Sequence, residues 1–197
     1  MQNPFIPTIR YGTFWSRVGA VIVDFLVFLP ITIPMAIYNP VNWKSDALLI
    51  VTALITTGYK PFMEYRYGAT LGKMGIQIKV VNAQLEKPSL KEVLLRNIFH
   101  IGVGIMSLIF TLMVFNTEGF EDVETYREYI DFQKEASVKS SLYSVFVCIL
   151  YLIDCIVLWS DERKRSLHDR IGGTMVVNKF TPTLTEIEDK LSKQTIY

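Results

Sequence analysis

Four long apolar runs constrain this chain more than any other feature of its sequence. A helix needs roughly 20 apolar residues to cross the ~30 Å hydrocarbon core of a bilayer. The runs cover about 18–37, 47–63, 93–115 and 142–159. Buried helices of a soluble protein are the alternative, but four such runs in one chain of 197 residues disfavour it. We therefore predict an all-α membrane protein with four transmembrane helices, embedded in the lipid bilayer as one domain over 1–197.

Lysine and arginine are unevenly distributed over the segments between these runs. Cytoplasmic segments of membrane proteins carry an excess of both residues. Sixteen of the 20 lie in the N-terminal segment, the connection 64–92, the tail 160–197, or the adjoining helix ends. The two remaining connections hold the other four. We expect both termini and the 64–92 loop to be cytoplasmic, with the chain multi-pass in the cell membrane (the inner one, where there are two).

Two short segments on the predicted cytoplasmic side have strand character. In "GIQIKVV", Ile76, Ile78 and Val80 alternate with polar residues, and "GGTMVVNKF" forms a second β-like run after the fourth helix. We expect them to pair into a small cytoplasmic sheet. Between them, Ser89 and Glu92 in "KPSLKEV" have the spacing of a capping box at a helix start.

The connection 116–141 is acidic and is predicted to lie outside. It contains seven Asp and Glu residues, and part of it, "DVETYREYIDFQKEA", has helical spacing. This pattern fits an amphipathic surface helix or a flexible acidic loop. The acids could attract cations, although a solvated face explains them equally simply.

Ionisable residues inside the apolar runs are the candidate site. Asp24, His100 and Asp154 are each expected roughly 8–10 Å inside the cytoplasmic end of a helix, and Arg17 lies nearer the surface on the same face as Asp24. Charges in a membrane face the bundle interior and pair. Together the four residues could form an ion or proton site with a cytoplasmic mouth. They could instead form a polar lock that holds the helices in register, and spacing alone leaves both open.

Other kinds of site find little support in the sequence. A formal net charge of +1 argues against a nucleic-acid partner. Cys148 and Cys155 are seven residues apart on one helix, too far to form a disulfide within it. The chain has two histidines and no Cys pair with ligand spacing, so we expect no metal and no cofactor. No nucleophile motif is present, and we predict that the protein is not an enzyme.

Two polar segments of the predicted cytoplasmic side also need an interpretation. "GATLGKM" is too short for a phosphate loop and has Met74 where Ser or Thr would bind Mg²⁺, so we interpret it as a glycine turn into a strand. In "SDERKRSLHDRIGGT", Asp169 lies among Arg165, Arg170 and Lys179 and can pair with one of them.

These motifs together resemble the RDD family of small bacterial membrane proteins, which is named for one arginine and two aspartates. Arg17, Ala20 and Asp24 match the pattern Arg-x-x-Ala-x-x-x-Asp, and Asp169 in "LHDR" is the counterpart of the second aspartate. "GATLGKMGIQIKVV" and "LHDRIGGTMVV" resemble stretches that flank the family's helices. Asp154 and the acidic connection are not part of this pattern.

The resemblance implies an integral membrane protein of largely unassigned function. Transport has been suggested for the family, and cation/proton antiport is associated with some members. The leading hypothesis is therefore a transporter or antiporter-like subunit of unknown substrate. Since four helices enclose little space, we expect it to act as a homo-oligomer or with a membrane-protein partner. The alternative is a non-transporting scaffold or assembly partner of a membrane complex.

Overall fold

The structure is a computed structural model, and it describes residues 9–136, 138–183 and 186–187. The outermost parts of the predicted domain and tail, including Lys190 and Lys193, lie outside the described residues. Within them the chain is mostly helical. The helices are α1 (Phe14–Tyr38), α2 (Asp46–Tyr67), α3 (Leu71–Gly75), α4 (Leu90–Arg96), α5 (Ile98–Phe115), α6 (Tyr126–Ala136), α7 (Val138–Ser160) and α8 (Leu167–Ile171).

Within the described ranges, two helical stretches are long and apolar enough to cross a membrane. They are Phe14–Trp43, which includes α1, and Ile98–Phe115, which is α5. The apolar part of α7, Ser144–Ser160, is shorter. The second predicted span falls on α2, which carries Lys60 and Glu64 in its second half. By length and apolar composition, α2 does not qualify as a membrane-spanning helix.

The third predicted span, 93–115, is wrong as a single helix. The chain forms α4 with the expected capping box at Ser89 and Glu92, and the helix is then interrupted at Asn97. The Asn97 side chain donates to the Val93 carbonyl oxygen at 3.0 Å and to Glu64 Oε2 at 2.8 Å. Because Asn97 is fully buried by these contacts, α4 belongs to the polar end of the molecule and only α5 is membrane-like.

The two predicted strand segments pair, as expected, into an antiparallel sheet. The strands are β1 (Ile78–Asn82) and β2 (Thr174–Asn178), with Val80 opposite Val176. The first strand begins at Ile78 instead of Ile76, because the chain completes α3 and then passes Gln77 at a φ of 61°. One end of the helices carries this sheet together with α3, α4 and α8, and we call it the sheet end. We call the opposite end the far end.

Burial is concentrated at the sheet end. Val80, Val93, Val176 and Val177 have at most 1% of their surface exposed. In contrast, Ala20 is the one residue classed as buried in α1, and Phe115 the one in α5. A helix that is apolar on all sides and exposed on most of them is suited to lipid contact.

The far end is closed by the acidic connection. Part of it is the helix α6, so the helical alternative is confirmed over Tyr126–Ala136. Tyr129 packs edge-on against Phe115 and Phe120, and this aromatic cluster holds α6 against the end of α5. Lys44 donates to the Glu121 carbonyl oxygen.

Candidate functional site

Asp24 connects α1 to two other helices. Its carboxylate accepts hydrogen bonds from the Tyr59 hydroxyl at 2.9 Å, the Thr70 hydroxyl at 2.6 Å and the Gly72 backbone N–H at 2.7 Å. Thr70 is itself the N-cap of α3, and its side chain accepts from the Lys73 backbone N–H. Three donors therefore satisfy Asp24 and fix α2 and α3 against α1.

Gly72 is required for this contact. A Cβ at Gly72 would overlap the Ala20 carbonyl and lie 2.9 Å from Asp24 Cγ. The segment interpreted as a glycine turn thus has a second role, since it lets α3 approach the backbone of α1. The turn itself is made by Gly68, which ends α2 at a φ of 71°.

Arg17 and Asp169, the first and last residues of the family-like motif, bind each other. Arg17 Nη1 lies 2.6 Å from Asp169 Oδ2, and Nη2 donates to the Lys164 carbonyl oxygen at 2.6 Å. Asp169 is fully buried, also pairs with Arg96, and accepts from the Ser166 backbone N–H at 3.1 Å.

The expected pairing of Asp169 with a nearby base is therefore wrong. Two of the bases considered, Arg165 and Arg170, bind Asp161 at 3.2 Å and 2.8 Å instead. The hydrogen bond from Arg165 holds the pKa of Asp161 below its usual range. The third base, Lys179, directly follows β2. Lys79 lies on β1, and its Nζ donates to the Thr181 carbonyl oxygen at 3.1 Å.

Glu64 is a fully buried carboxylate that sequence reasoning missed. It pairs with Lys73 and with Arg96, whose Nε lies 3.2 Å from Glu64 Oε2. Burial lowers the pKa of Lys73 to about 7, against the attraction of Glu64. A carboxylate in the last turns of an otherwise apolar helix was the available signal, because such a group needs a partner. We call Arg17, Glu64, Lys73, Arg96 and Asp169 the paired charge cluster.

Asp154 does not point at Asp24. It lies 2.8 Å from His168 Nδ1 and also accepts from the His168 backbone N–H at 3.1 Å, which anchors α8 to α7. Burial and the neighbouring Arg96 guanidinium lower the pKa of His168 to about 3. The imidazole is therefore neutral at neutral pH, and Nδ1–H donates to the carboxylate.

Three of the four predicted site residues, Arg17, Asp24 and His100, line one cavity of about 430 Å³ at the sheet end. Asp154 lines a smaller neighbouring cavity of about 60 Å³, in which His100 also takes part. Among the described residues, no hydrogen bond or ion pair joins any two of the four. We call the larger space the charged cavity.

A second cavity of about 460 Å³ lies toward the far end. Its lining includes no Asp, Glu, Lys, Arg or His, so we call it the hydroxyl cavity. Thr56 lines both cavities, and its hydroxyl donates to the Thr52 carbonyl oxygen at 2.9 Å. The hydroxyls come from Thr32, Thr52, Thr56, Thr57, Ser107, Thr111, Tyr126 and Tyr129.

Lys60 and His100 differ from the other polar groups of the charged cavity. No ion pair or hydrogen bond of Lys60 Nζ occurs within the described part of the chain, and His100 Nε2 is buried there without a partner. Sequence reasoning used Lys60 for orientation alone and did not identify it as a site residue.

Metal ligation and cysteine chemistry gain no support from the geometry. Within the described ranges, no group of three or more His, Cys, Asp and Glu side chains could hold a metal ion. Cys148 and Cys155 are exposed free thiols on α7.

One comparison with known proteins identifies a relationship. The model of the RDD family matches residues 11–173, a range that contains Arg17, Asp24 and Asp169. No curated protein and no solved structure matches the chain significantly.

Proposed function

Because the chain belongs to the RDD family of membrane proteins, we propose that it is a multi-pass transporter that moves a small solute or cation through its two cavities. The observation that carries the proposal is Thr56, which lines both the charged cavity and the hydroxyl cavity. Two spaces of about 430 and 460 Å³ that share Thr56 as a lining residue support a solute pathway through the helices.

The proposed topology has four crossings, by α1, α2, α5 and α7. The charges that make α2 less apolar lie near the sheet end, where Glu64 is neutralised by the paired charge cluster. With the sheet end in the cytoplasm, sixteen of the 20 Lys and Arg residues are on or near the cytoplasmic side. Four helices leave little room around a pathway, so the proposal includes a second copy or another membrane protein as partner.

Asp24 is the proposed exchange group for cation/proton antiport. It is half-buried and lines the charged cavity, so a cation can reach it there. Its carboxylate would exchange one of its three neutral hydrogen-bond donors for a cation or a proton. Arg17 is occupied by Asp169 and supports the site without binding the solute. The proposal includes no enzymatic activity, no cofactor and no nucleic-acid partner.

The first test removes the exchangeable charge. In vesicles that contain a pH-sensitive dye, Asp24→Asn should abolish the proton movement produced by added Na⁺ or K⁺, because the amide cannot titrate. Insertion and folding are checked by gel filtration in detergent. Unchanged flux in a folded Asp24→Asn protein would contradict the role of Asp24.

The second test blocks the junction of the cavities. Thr56→Leu adds apolar volume where the two spaces meet and should reduce flux at least about tenfold, while leaving the fold intact. Thr117→Leu makes the same chemical change at an exposed hydroxyl outside both cavities and should transport normally. Equal flux in the two variants would exclude this route.

A scaffold role is the second candidate, and the paired charge cluster favours it. Arg17 and Asp169 satisfy each other, so these two motif residues are explained without transport. The exposed acidic side of α6 at the far end would then be a contact surface for another membrane protein. This candidate predicts no flux in vesicles and stable co-purification of one partner, and that partner should be lost when Glu128 and Asp131 are neutralised.

A further inference from the structure

Lys60 Nζ and His100 Nε2 both belong to the charged cavity, and neither has a hydrogen-bond or ion-pair partner among the described residues. Lys60 on α2 and His100 on α5 line this cavity together, and both also line its smaller neighbour. The His100 ring interacts with the backbone of Thr56 and Thr57, whereas its Nε2 atom is buried and unpartnered within the described residues. Burying a polar group without a hydrogen-bond partner costs free energy, and more when the group is charged.

The carboxylates around Lys60 are already satisfied by other groups. Glu64, Asp154 and Asp24 attract the Lys60 side chain electrostatically, and Arg96 repels it. However, Glu64 is bound within the paired charge cluster, Asp154 binds His168, and Asp24 has its three neutral donors. Within the described part of the chain, these carboxylates therefore attract the Lys60 ammonium without forming an ion pair with it, which leaves it available to an anionic ligand.

The mouth of the same cavity is apolar. Val21 and Phe25 on α1 and Tyr151 on α7 line it with 66%, 61% and 52% of their surfaces exposed. α1 is long and apolar enough to cross a membrane, and the proposed topology also places α7 in the bilayer. A ligand that enters between α1 and α7 therefore comes from the lipid, with its charged group inward and its apolar part outward.

We propose that the charged cavity binds the acidic headgroup of a membrane amphiphile, with Lys60 and His100 as its contacts and the acyl chain leaving between α1 and α7. A phosphate monoester fits best. One phosphate oxygen accepts from the Lys60 ammonium, and a singly protonated phosphate can donate its hydrogen to His100 Nε2. Binding does not require transport, but the inference rests on the topology of the proposed function, in which α1 and α7 both lie in the bilayer.

Native mass spectrometry of the full chain in a non-ionic detergent tests the site. Dioleoyl phosphatidic acid and dioleoyl phosphatidylcholine share their acyl chains and differ in the headgroup. The wild-type protein should bind phosphatidic acid about tenfold more tightly, since a charge-assisted hydrogen bond is worth about 1.5–3 kcal/mol. Equal binding of the two lipids would overturn the proposal.

Variants assign the preference to the named residues. Lys60→Met should remove it, Lys60→Arg should retain most of it, and His100→Phe should weaken it. Lys91→Met is the matched control, because it removes the same charge from an exposed position on α4 at the same end of the molecule. Should Lys60→Met bind both lipids as the wild type does, or Lys91→Met lose the preference equally, the site is not at Lys60.

A water-soluble competitor separates a lipid from a free anion. Glycerol 3-phosphate carries the same phosphate without acyl chains, and we expect it to displace phosphatidic acid poorly. Displacement at similar concentrations of the two compounds would overturn the assignment to an amphiphile. The thermal midpoint of each variant shows that it is folded, and His100→Phe provides a second measurement at the site if Lys60→Met is not recovered.

Discussion

The paired charge cluster and the charged cavity lie side by side at the sheet end, and they differ in how their charges are satisfied. Within the cluster, Arg17, Glu64, Arg96 and Asp169 bind one another, and their atoms are almost completely removed from solvent. In the cavity, Lys60 lies one helical turn before Glu64 on the same helix. Its Nζ has no hydrogen bond or ion pair among the described residues.

The difference separates the residues that build this end of the molecule from those available for a ligand. Arg17 and Asp169, which belong to the motif of the family, bind each other, and Asp24 fixes α3 while it also lines the charged cavity. Lys60 and His100, which each have a side-chain nitrogen without a partner among the described residues, lie outside the motif. A motif can thus identify the residues that hold a site together, which we call the frame, while the contacts to the ligand come from neighbouring positions.

The largest expected effect is the removal of Glu64 from the cluster. Glu64→Ala leaves Lys73 without its carboxylate and removes one of the two carboxylates that pair with Arg96, and breaking a buried pair in this way costs about 3–5 kcal/mol. We expect little folded protein after extraction, measured by gel filtration and thermal unfolding in detergent. Glu86→Gln is the control, because Glu86 is an exposed residue in the turn after β1 and should leave the midpoint unchanged. A Glu64→Ala protein as stable as this control would show that the cluster is not structural.

A second variant tests whether Asp24 belongs with the frame. Gly72→Ala places a Cβ against the Ala20 carbonyl and Asp24, and overpacking of this kind costs about 1–3 kcal/mol. Gly75→Ala, three residues later, meets nothing within 4 Å and should not destabilise the protein. Equal thermal midpoints of the two variants would mean that α3 does not press against α1 as described.

Local patterns in the sequence predicted much of the frame. Alternation located β1, and a second β-like run located β2. The capping box at Ser89 marked the start of α4, and helical spacing gave α6 as one of two alternatives. These features depend on neighbours within a few positions along the chain. The pairing of the two strands also followed, because both segments were expected on the same side of the membrane.

The partners of the buried charges could not be predicted in the same way. Arg17 and Asp169 are 152 positions apart, and Asp169 has two bases within four positions that it does not use. The choice depends on how α8 packs on α4, which no local pattern encodes. The break at Asn97 was missed for a similar reason, since Asn97 interrupts the helix by binding Glu64 from another one.

An acid titration tests whether burial beside Arg96, a member of the paired charge cluster, lowers the pKa of His168. His168 has a pKa of about 3 in the folded protein, below its ordinary value of 6.5, because it is buried beside Arg96. The unfolded chain therefore binds more protons between these values, and the free energy of unfolding falls as the pH falls through this window, by up to about 1.4 kcal/mol per pH unit. His168→Gln cannot titrate there, so its midpoint should fall less between about pH 6 and about pH 5. Parallel curves for the two proteins would show that His168 is already protonated in the fold.

The smallest expected change in stability is the one that distinguishes the charged cavity most clearly from the paired charge cluster. Lys60→Met removes a charge one helical turn from Glu64, yet Lys60 has no ion pair or hydrogen bond to lose within the described chain. Its thermal midpoint in detergent should stay the same or rise slightly, because an unpaired charge in a desolvated place is replaced by an apolar side chain of similar length. A drop as large as that of Glu64→Ala would mean that Lys60 belongs to the cluster, and the distinction between frame and ligand site would then fail. A neutral or positive shift, together with loss of the phosphatidic acid preference, would show that Lys60 is kept for binding and not for stability.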